Sequence, residues 1–133
     1  MKKEVITSEK AALPVGPYSQ GIKVGNFIFV AGEKGIDPQT GKIVDGGIAA
    51  ETRQTLDNIH AILEAAGAGM GNVVRTVVYL TDIADFAEMN TVYAGYFTED
   101  PPGRSCVQVS ALPAGAHVEI EATAAISTDS VQA

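Results

Sequence analysis

Arg104 is the only cation between Thr76 and the C-terminus, and it opens an expected strand directly after Pro101-Pro102-Gly103. A guanidinium at the mouth of a strand offers a planar fork of donors that fits a carboxylate through two parallel hydrogen bonds. The plainer alternative is a structural ion pair with Glu99, Asp100 or Glu121, and composition alone favours it. Glu119 and Glu121 alternate with Val118 and Ile120, so both carboxylates leave one polar face of the last strand. Such a face is ordinarily just solvated. If it lines a cleft or an oligomer interface, a carboxylate there can orient a water and move a proton. Acids at i and i+2 on one strand do not make the paired acids of a glycosidase cleft.

Other candidates are weaker. Cys106 shares a strand face with Arg104, whose charge favours a thiolate, but no histidine is placed to pair with it and packing or site lining is the better reading. His60 precedes Glu64 by one helical turn and reads as a surface residue, and His117 starts a strand beside a turn and reads as exposed. Tyr18, within Gly16-Pro17-Tyr18-Ser19-Gln20-Gly21, suits a lid over a ligand or an apolar plug. Asn90, between Met89 and Tyr93, needs a hydrogen-bond partner. Gly32, Gly35, Gly46-Gly47 and Gly67-Ala68-Gly69-Met70-Gly71 lack phosphate-loop spacing and are read as turns.

The whole chain bounds these readings. Its 133 residues, 46% hydrophobic and 19% charged, describe one domain over residues 1–133 with a single core. The six lysines lie within residues 1–42 beside four acids, whereas residues 43–133 hold three arginines against twelve acids. With a net charge of −7 and no basic stripe, nucleic acid is excluded as a partner. One cysteine closes no internal disulfide, no Cys/His cluster has zinc spacing, and a metal site is not expected. Without an apolar leader or a run of eighteen apolar residues, the expected location is the cytoplasm, with no membrane partner.

The elements that must position these groups follow from periodicity. Glu4 to Thr7 reads as a short strand. Ile22 to Val24 and Phe27 to Val30 flank Gly25-Asn26 as a hairpin. After Gly32 the chain turns polar. Ile48, Thr52, Leu56, Ile59, Leu63 and Ala66 mark a long helix that Gly67 stops. Val73 to Leu80 reads as a central strand. A second helix, capped by Thr81 or Asp82, carries Phe86, Met89, Tyr93 and Phe97 on one stripe, with Pro101-Pro102-Gly103 as its terminator. Two alternating strands finish the chain, and a polar tail from Thr128 to Ala133 is expected to fray. The order is β-β-β-α-β-α-β-β, an α+β fold with a mixed sheet and two helices on one face. Apolar residues on both faces of the central strand leave the second face to be buried by a symmetric oligomer.

Several segments together carry a resemblance. Gly16-Pro17-Tyr18-Ser19-Gln20-Gly21, Arg53-Gln54-Thr55-Leu56-Asp57-Asn58, Ala65-Ala66-Gly67, Asn72-Val73-Val74, Phe86-Ala87-Glu88-Met89-Asn90, Pro102-Gly103-Arg104-Ser105-Cys106 and Val118-Glu119-Ile120-Glu121-Ala122 resemble the Rid family of enamine/imine deaminases. The likeness runs from about Thr7 to Ile126. It implies a chorismate-mutase-like fold assembled as a homotrimer with clefts between subunits, and a reaction that needs no cofactor. Carried over by position, Arg104 grips the substrate carboxylate, Glu119 orients the attacking water, and Tyr18, Gly32, Asn90 and Cys106 line the cleft. The implied activity is hydrolysis of 2-aminoacrylate and related 2-imino acids to 2-keto acids and ammonia. One segment departs: most deaminating members read Ser-Gly-Gln-hydrophobic-Pro where this chain reads Ala31-Gly32-Glu33-Lys34-Gly35, placing two charges in what is expected to be a loop.

Three competing readings remain at this point. A non-catalytic trimer that captures a 2-keto acid at Arg104 is favoured by Ala31 and Glu33. An endoribonuclease, the activity attached to some Rid members, is opposed by the charge. A chorismate mutase shares the implied fold, but one isolated arginine is thin support for a dianionic substrate.

Overall fold

The computed structural model describes residues 1–127, so the tail from Thr128 to Ala133 lies outside the described residues. Six strands form one mixed sheet: β1 (Glu4–Ile6), β2 (Gly21–Val24), β3 (Phe27–Lys34), β4 (Val73–Leu80), β5 (Gly103–Gln108) and β6 (Val118–Ala125). Their order across the sheet is β1-β2-β3-β6-β4-β5. Only β4 and β5 run parallel, joined by the helix between them; the other pairs are antiparallel. Helices α1 (Gly47–Ala65) and α2 (Phe86–Ala94) complete the expected order.

Local chemistry explains most boundaries. Gly25 takes a positive φ of 57°, which lets the two-residue turn close the β2–β3 hairpin with Val24 opposite Phe27. The apolar stripe of α1 is buried along its length, with Leu56, Ile62 and Leu63 at 0% exposure, and Gly67 at φ 81° ends it. Asp82 accepts from the Ala84 N–H at 2.9 Å and caps a short 3-10 turn, Ile83–Asp85, that feeds α2. Helix α1 packs across β3 and β6 and against α2, so both helices share one face. Against them the sheet presents Ile28, Val30, Thr76, Val78, Leu80, Val118, Ile120 and Ala122. Truncating a residue as buried as Leu56 to Ala costs about 2–5 kcal/mol.

Two boundaries differ from expectation. α2 ends at Ala94, seven residues before Pro101, because the Gly95 and Tyr96 N–H groups turn back to the Val92 and Tyr93 carbonyls. Phe97 therefore lies beyond the helix but still packs on Tyr93, ring centroids 4.6 Å apart. Strand β3 also runs on past Gly32: a register shift between Val30 and Glu33 accommodates an extra residue, after which Glu33 pairs with Ile120 and Lys34 with Glu119. The two charges expected in a loop are instead strand residues, 5% and 6% exposed.

The other sheet face is uncovered. Phe27, Phe29 and Val107 on it are each almost half exposed. Among the described residues no helix is long and apolar enough to cross a membrane.

Candidate functional site

The start of β6 carries Glu119 onto the uncovered face, where it lines a recess of about 290 Å³ with Val15, Tyr18, Ala31, Gly32, Lys34 and Pro113. Each wall is held by a buried polar contact. Gln20, 2% exposed, accepts from the Ser8 N–H at 2.7 Å and donates to the Ser8 and Ala12 carbonyls at 3.1 and 2.8 Å, pinning the loop that presents Tyr18. Asn58 of α1 donates to the Lys34 and Ile36 carbonyls at 3.1 and 3.0 Å, fixing the end of β3. Glu51, 2% exposed, accepts from the His117 N–H at 2.8 Å and meets its Nδ1 at 2.6 Å, fixing the start of β6. Gly32 leaves room for this carboxylate: a Cβ there would meet it and push the Glu119 side chain aside.

The electrostatics of the recess centre on three side chains. Lys34 Nζ lies 3.7 Å from Glu119 Oε1 and 3.4 Å from the Gly32 carbonyl oxygen. Glu33, pointing toward the helix layer, has its carboxyl pushed up to about 8 by burial, with Lys34 partly offsetting and Glu119 adding to the rise. Glu121 is engaged elsewhere, accepting from the Tyr79 hydroxyl at 2.5 Å.

Arg104 lies on the other side of the sheet. It stands opposite Thr76 in the β4–β5 ladder, and Thr76 faces the helices at 1% exposure. The guanidinium sits 4.7 Å from the Tyr93 ring centroid and 5.5 Å from that of Phe86, with Nη1 3.9 Å from Met89 Sδ. It forms no ion pair among the described residues, so the structural salt bridge that composition favoured is replaced by aromatic stacking. Asn90, on the turn of α2 between Phe86 and Tyr93, has a buried Oδ1 with no partner. Cys106, half-buried beside Arg104, packs against the core, and burial raises its thiol more than the Arg104 charge lowers it. That opposes the thiolate reading.

The sequence-derived residues thus fall into two groups. Tyr18, Gly32 and Glu119 come together on the uncovered face, and Arg104, Cys106 and Asn90 on the helix side of β5. His60 faces Glu64 at 3.9 Å on the helix surface, and His117 is exposed as expected, although its partner Glu51 is buried. Glu51 escaped the sequence reading, and Glu33 and Lys34, read there as charges in a loop, were given no place in the site. A charged residue flanking an apolar stripe, as Glu51 does, was the available signal. Among the described residues, no group of His, Cys, Asp and Glu is arranged to hold a metal ion.

Comparisons with known proteins give the chain's relatives. Residues 8–126 match the family model described as endoribonuclease L-PSP. A RutC family protein of Pyrococcus abyssi is 57% identical over 93% of this chain and 98% of its own length. The 2-iminobutanoate/2-iminopropanoate deaminase of Mus musculus is 45% identical over 92% of this chain and 90% of its own. The crystal structure of RidA from a Psychrobacter species superposes with a TM-score of 0.90 at 44% identity, covering 92% of this chain and 99% of that one.

Proposed function

The chain belongs to the Rid (endoribonuclease L-PSP) family, and from that membership we propose that it is a cofactor-independent hydrolytic deaminase of 2-enamino and 2-imino acids. Its products are 2-keto acids and ammonia. The name carried by the mouse relative supports this substrate class, 2-iminobutanoate and 2-iminopropanoate.

One observation carries the reading. Among the described residues Arg104 has no carboxylate partner, while Glu119 lines a recess on the opposite sheet face. A site that uses both must form between copies, with the Arg104 edge of one protomer meeting the Glu119 recess of its neighbour. A closed homotrimer built this way holds three equivalent clefts and buries the exposed apolar face.

The chemistry asks little of such a cleft. An enamine tautomerises to an imine whose carbon is already electrophilic, so anchoring the carboxylate and placing one water supply most of what is needed. Arg104 binds the carboxylate through its fork of donors. Glu119 accepts a proton from water as oxygen bonds to the imine carbon and the C=N π pair moves onto nitrogen. It then returns that proton to nitrogen to give the carbinolamine; Glu119 next takes the hydroxyl proton and passes it to the amino nitrogen, so the C–N bond breaks as the C=O bond forms, ammonia leaves and Glu119 is again ionised. Tyr18, Gly32, Asn90 and Cys106 shape the cleft around the substrate.

Phosphate-backbone binding finds little support despite the family model's description, because three arginines are the only formal cations after Lys42. The lone Cys106 suits a reducing cytoplasm. The test is a serine or threonine dehydratase reaction run with and without this protein, with semicarbazide competing for the imine. Faster keto-acid release at equal dehydratase turnover is expected. An unchanged rate overturns the deaminase in favour of a binding protein.

A further inference from the structure

Lys34 is given no task by the reaction just described, yet it occupies the recess. It stands opposite Glu119 in the β3–β6 ladder. Its side chain is 6% exposed, and it lines the cavity with Tyr18, Gly32, Pro113 and Glu119. A buried ammonium is costly unless its donors are used. Here its two neighbours are distant, 3.4 Å to the Gly32 carbonyl oxygen and 3.7 Å to Glu119 Oε1. The longer separation is that of an ion pair too open for a direct N–H···O hydrogen bond, which leaves both groups able to share one water lying against them in the recess. Placement is enforced from behind, because Asn58 holds the Lys34 carbonyl and the Cα of Gly35 packs on the backbone of Glu51. Glu33 does not compete for the ammonium near neutral pH, since burial pushes its carboxyl up to about 8 and keeps it largely protonated.

We propose that Lys34 is a further catalytic residue of this site, whose ammonium donates a hydrogen bond to the attacking water while Glu119 accepts one from it. The proposal rests on the deaminase reading. With both partners in place the water has one lone pair engaged by Lys34, one proton engaged by Glu119, and a remaining lone pair aimed at the imine carbon. As the C–O bond forms and Glu119 takes the proton, the C=N π pair moves to nitrogen, and the oxygen becomes the hydroxyl of the carbinolamine. Lys34 keeps its hydrogen bond to that oxygen and gains no net proton. Such a fixed donor lowers the barrier because it needs no reorientation as charge shifts on oxygen.

Two substitutions and one structure test this. Lys34→Met removes the donor at similar length, and Lys34→Gln retains one. On a 2-imino acid generated in situ, Lys34→Met is expected to lower kcat about 10²-fold with KM within about twofold, and Lys34→Gln to recover about a tenth of the wild-type kcat. A high-resolution crystal structure of the wild type is expected to show a water between Lys34 Nζ and Glu119 Oε1. Equal kcat for an active wild type and Lys34→Met overturns the role of Lys34 alone, as does a wild-type crystal without that water. If Lys34→Met does not fold, Lys34→Gln and the wild-type water decide. A folded wild type that leaves imines untouched overturns the deaminase reading itself.

Discussion

Arg104 and Glu119 project from opposite faces of the same sheet, one opposite buried Thr76 and the other opposite Lys34 and Tyr79. A single layer of strands separates them, so one protomer cannot bring both to one small acid. Arg104→Ala and Glu119→Gln should each abolish most activity as pure proteins. Mixed and reassembled, they should regain roughly a quarter of the wild-type sites, because random pairing around a closed ring lets one variant supply the arginine and the other the glutamate. Assaying keto-acid release before and after co-refolding checks this. No recovery from a verified mixed trimer would place both residues of each working site on one chain.

Gly32 offers a sharper steric test. Its Cα lies beneath the Glu119 carboxylate, and an added methyl meets the side chain head-on. Gly32→Ala should displace that carboxylate and lower kcat by about tenfold or more, since small misplacements of a proton-transfer group are costly. The core is untouched, so Tm should change little. Wild-type kcat in Gly32→Ala would show that the position of the Glu119 carboxylate does not limit the reaction.

Much of this was legible in the chain. The alternation of Val118, Ile120 and Ala122 with Glu119, Glu121 and Thr123 gave the faces of β6, and Pro-Pro-Gly located the start of β5. That Arg104 and Glu119 lie on different sides was not legible, because it depends on register through β4, which separates β5 from β6. Lys34 was hidden by the register shift after Val30, which breaks the two-residue period that would have continued the strand. Arg104 looked like an ion-pair residue because acids lie near it in sequence, whereas its rings come from a helix across a parallel crossover. Glu51 reads locally as a solvated acid on a helix flank. Only a partner 66 residues away explains its burial.

Glu33 makes stability depend on pH. Its carboxyl titrates at about 8 in the folded protein against 4.5 as the ordinary value. Between those values the folded state holds a proton that the unfolded state has lost, so stability is highest at the acid end and falls as pH rises to about 8. Glu33→Gln should flatten that slope and raise stability at alkaline pH by on the order of 5 kcal/mol. Urea unfolding at several pH values measures it. Parallel curves for the two proteins would mean that Glu33 ionises normally in the folded state.

The Glu51–His117 contact tilts stability the same way, in a pH window that begins higher, at 6.5. The carboxylate accepts from the His117 N–H and its ring nitrogen, and that hydrogen bond, followed by the charge attraction, raises His117 above 6.5 despite slight desolvation, with Asp85 adding to the rise. A raised histidine contributes stability that is fully present below 6.5 and is lost as pH climbs through the folded value. Glu51→Gln retains an acceptor for the His117 N–H but removes the charge, so the imidazole should titrate lower, back toward 6.5. Imidazole proton shifts followed by NMR across neutral pH report this directly. Because the contact fixes the strand end two residues before Glu119, the variant should also lose catalytic rate while keeping substrate affinity for Arg104. An unshifted His117 titration in Glu51→Gln would show that the two side chains are not paired in solution.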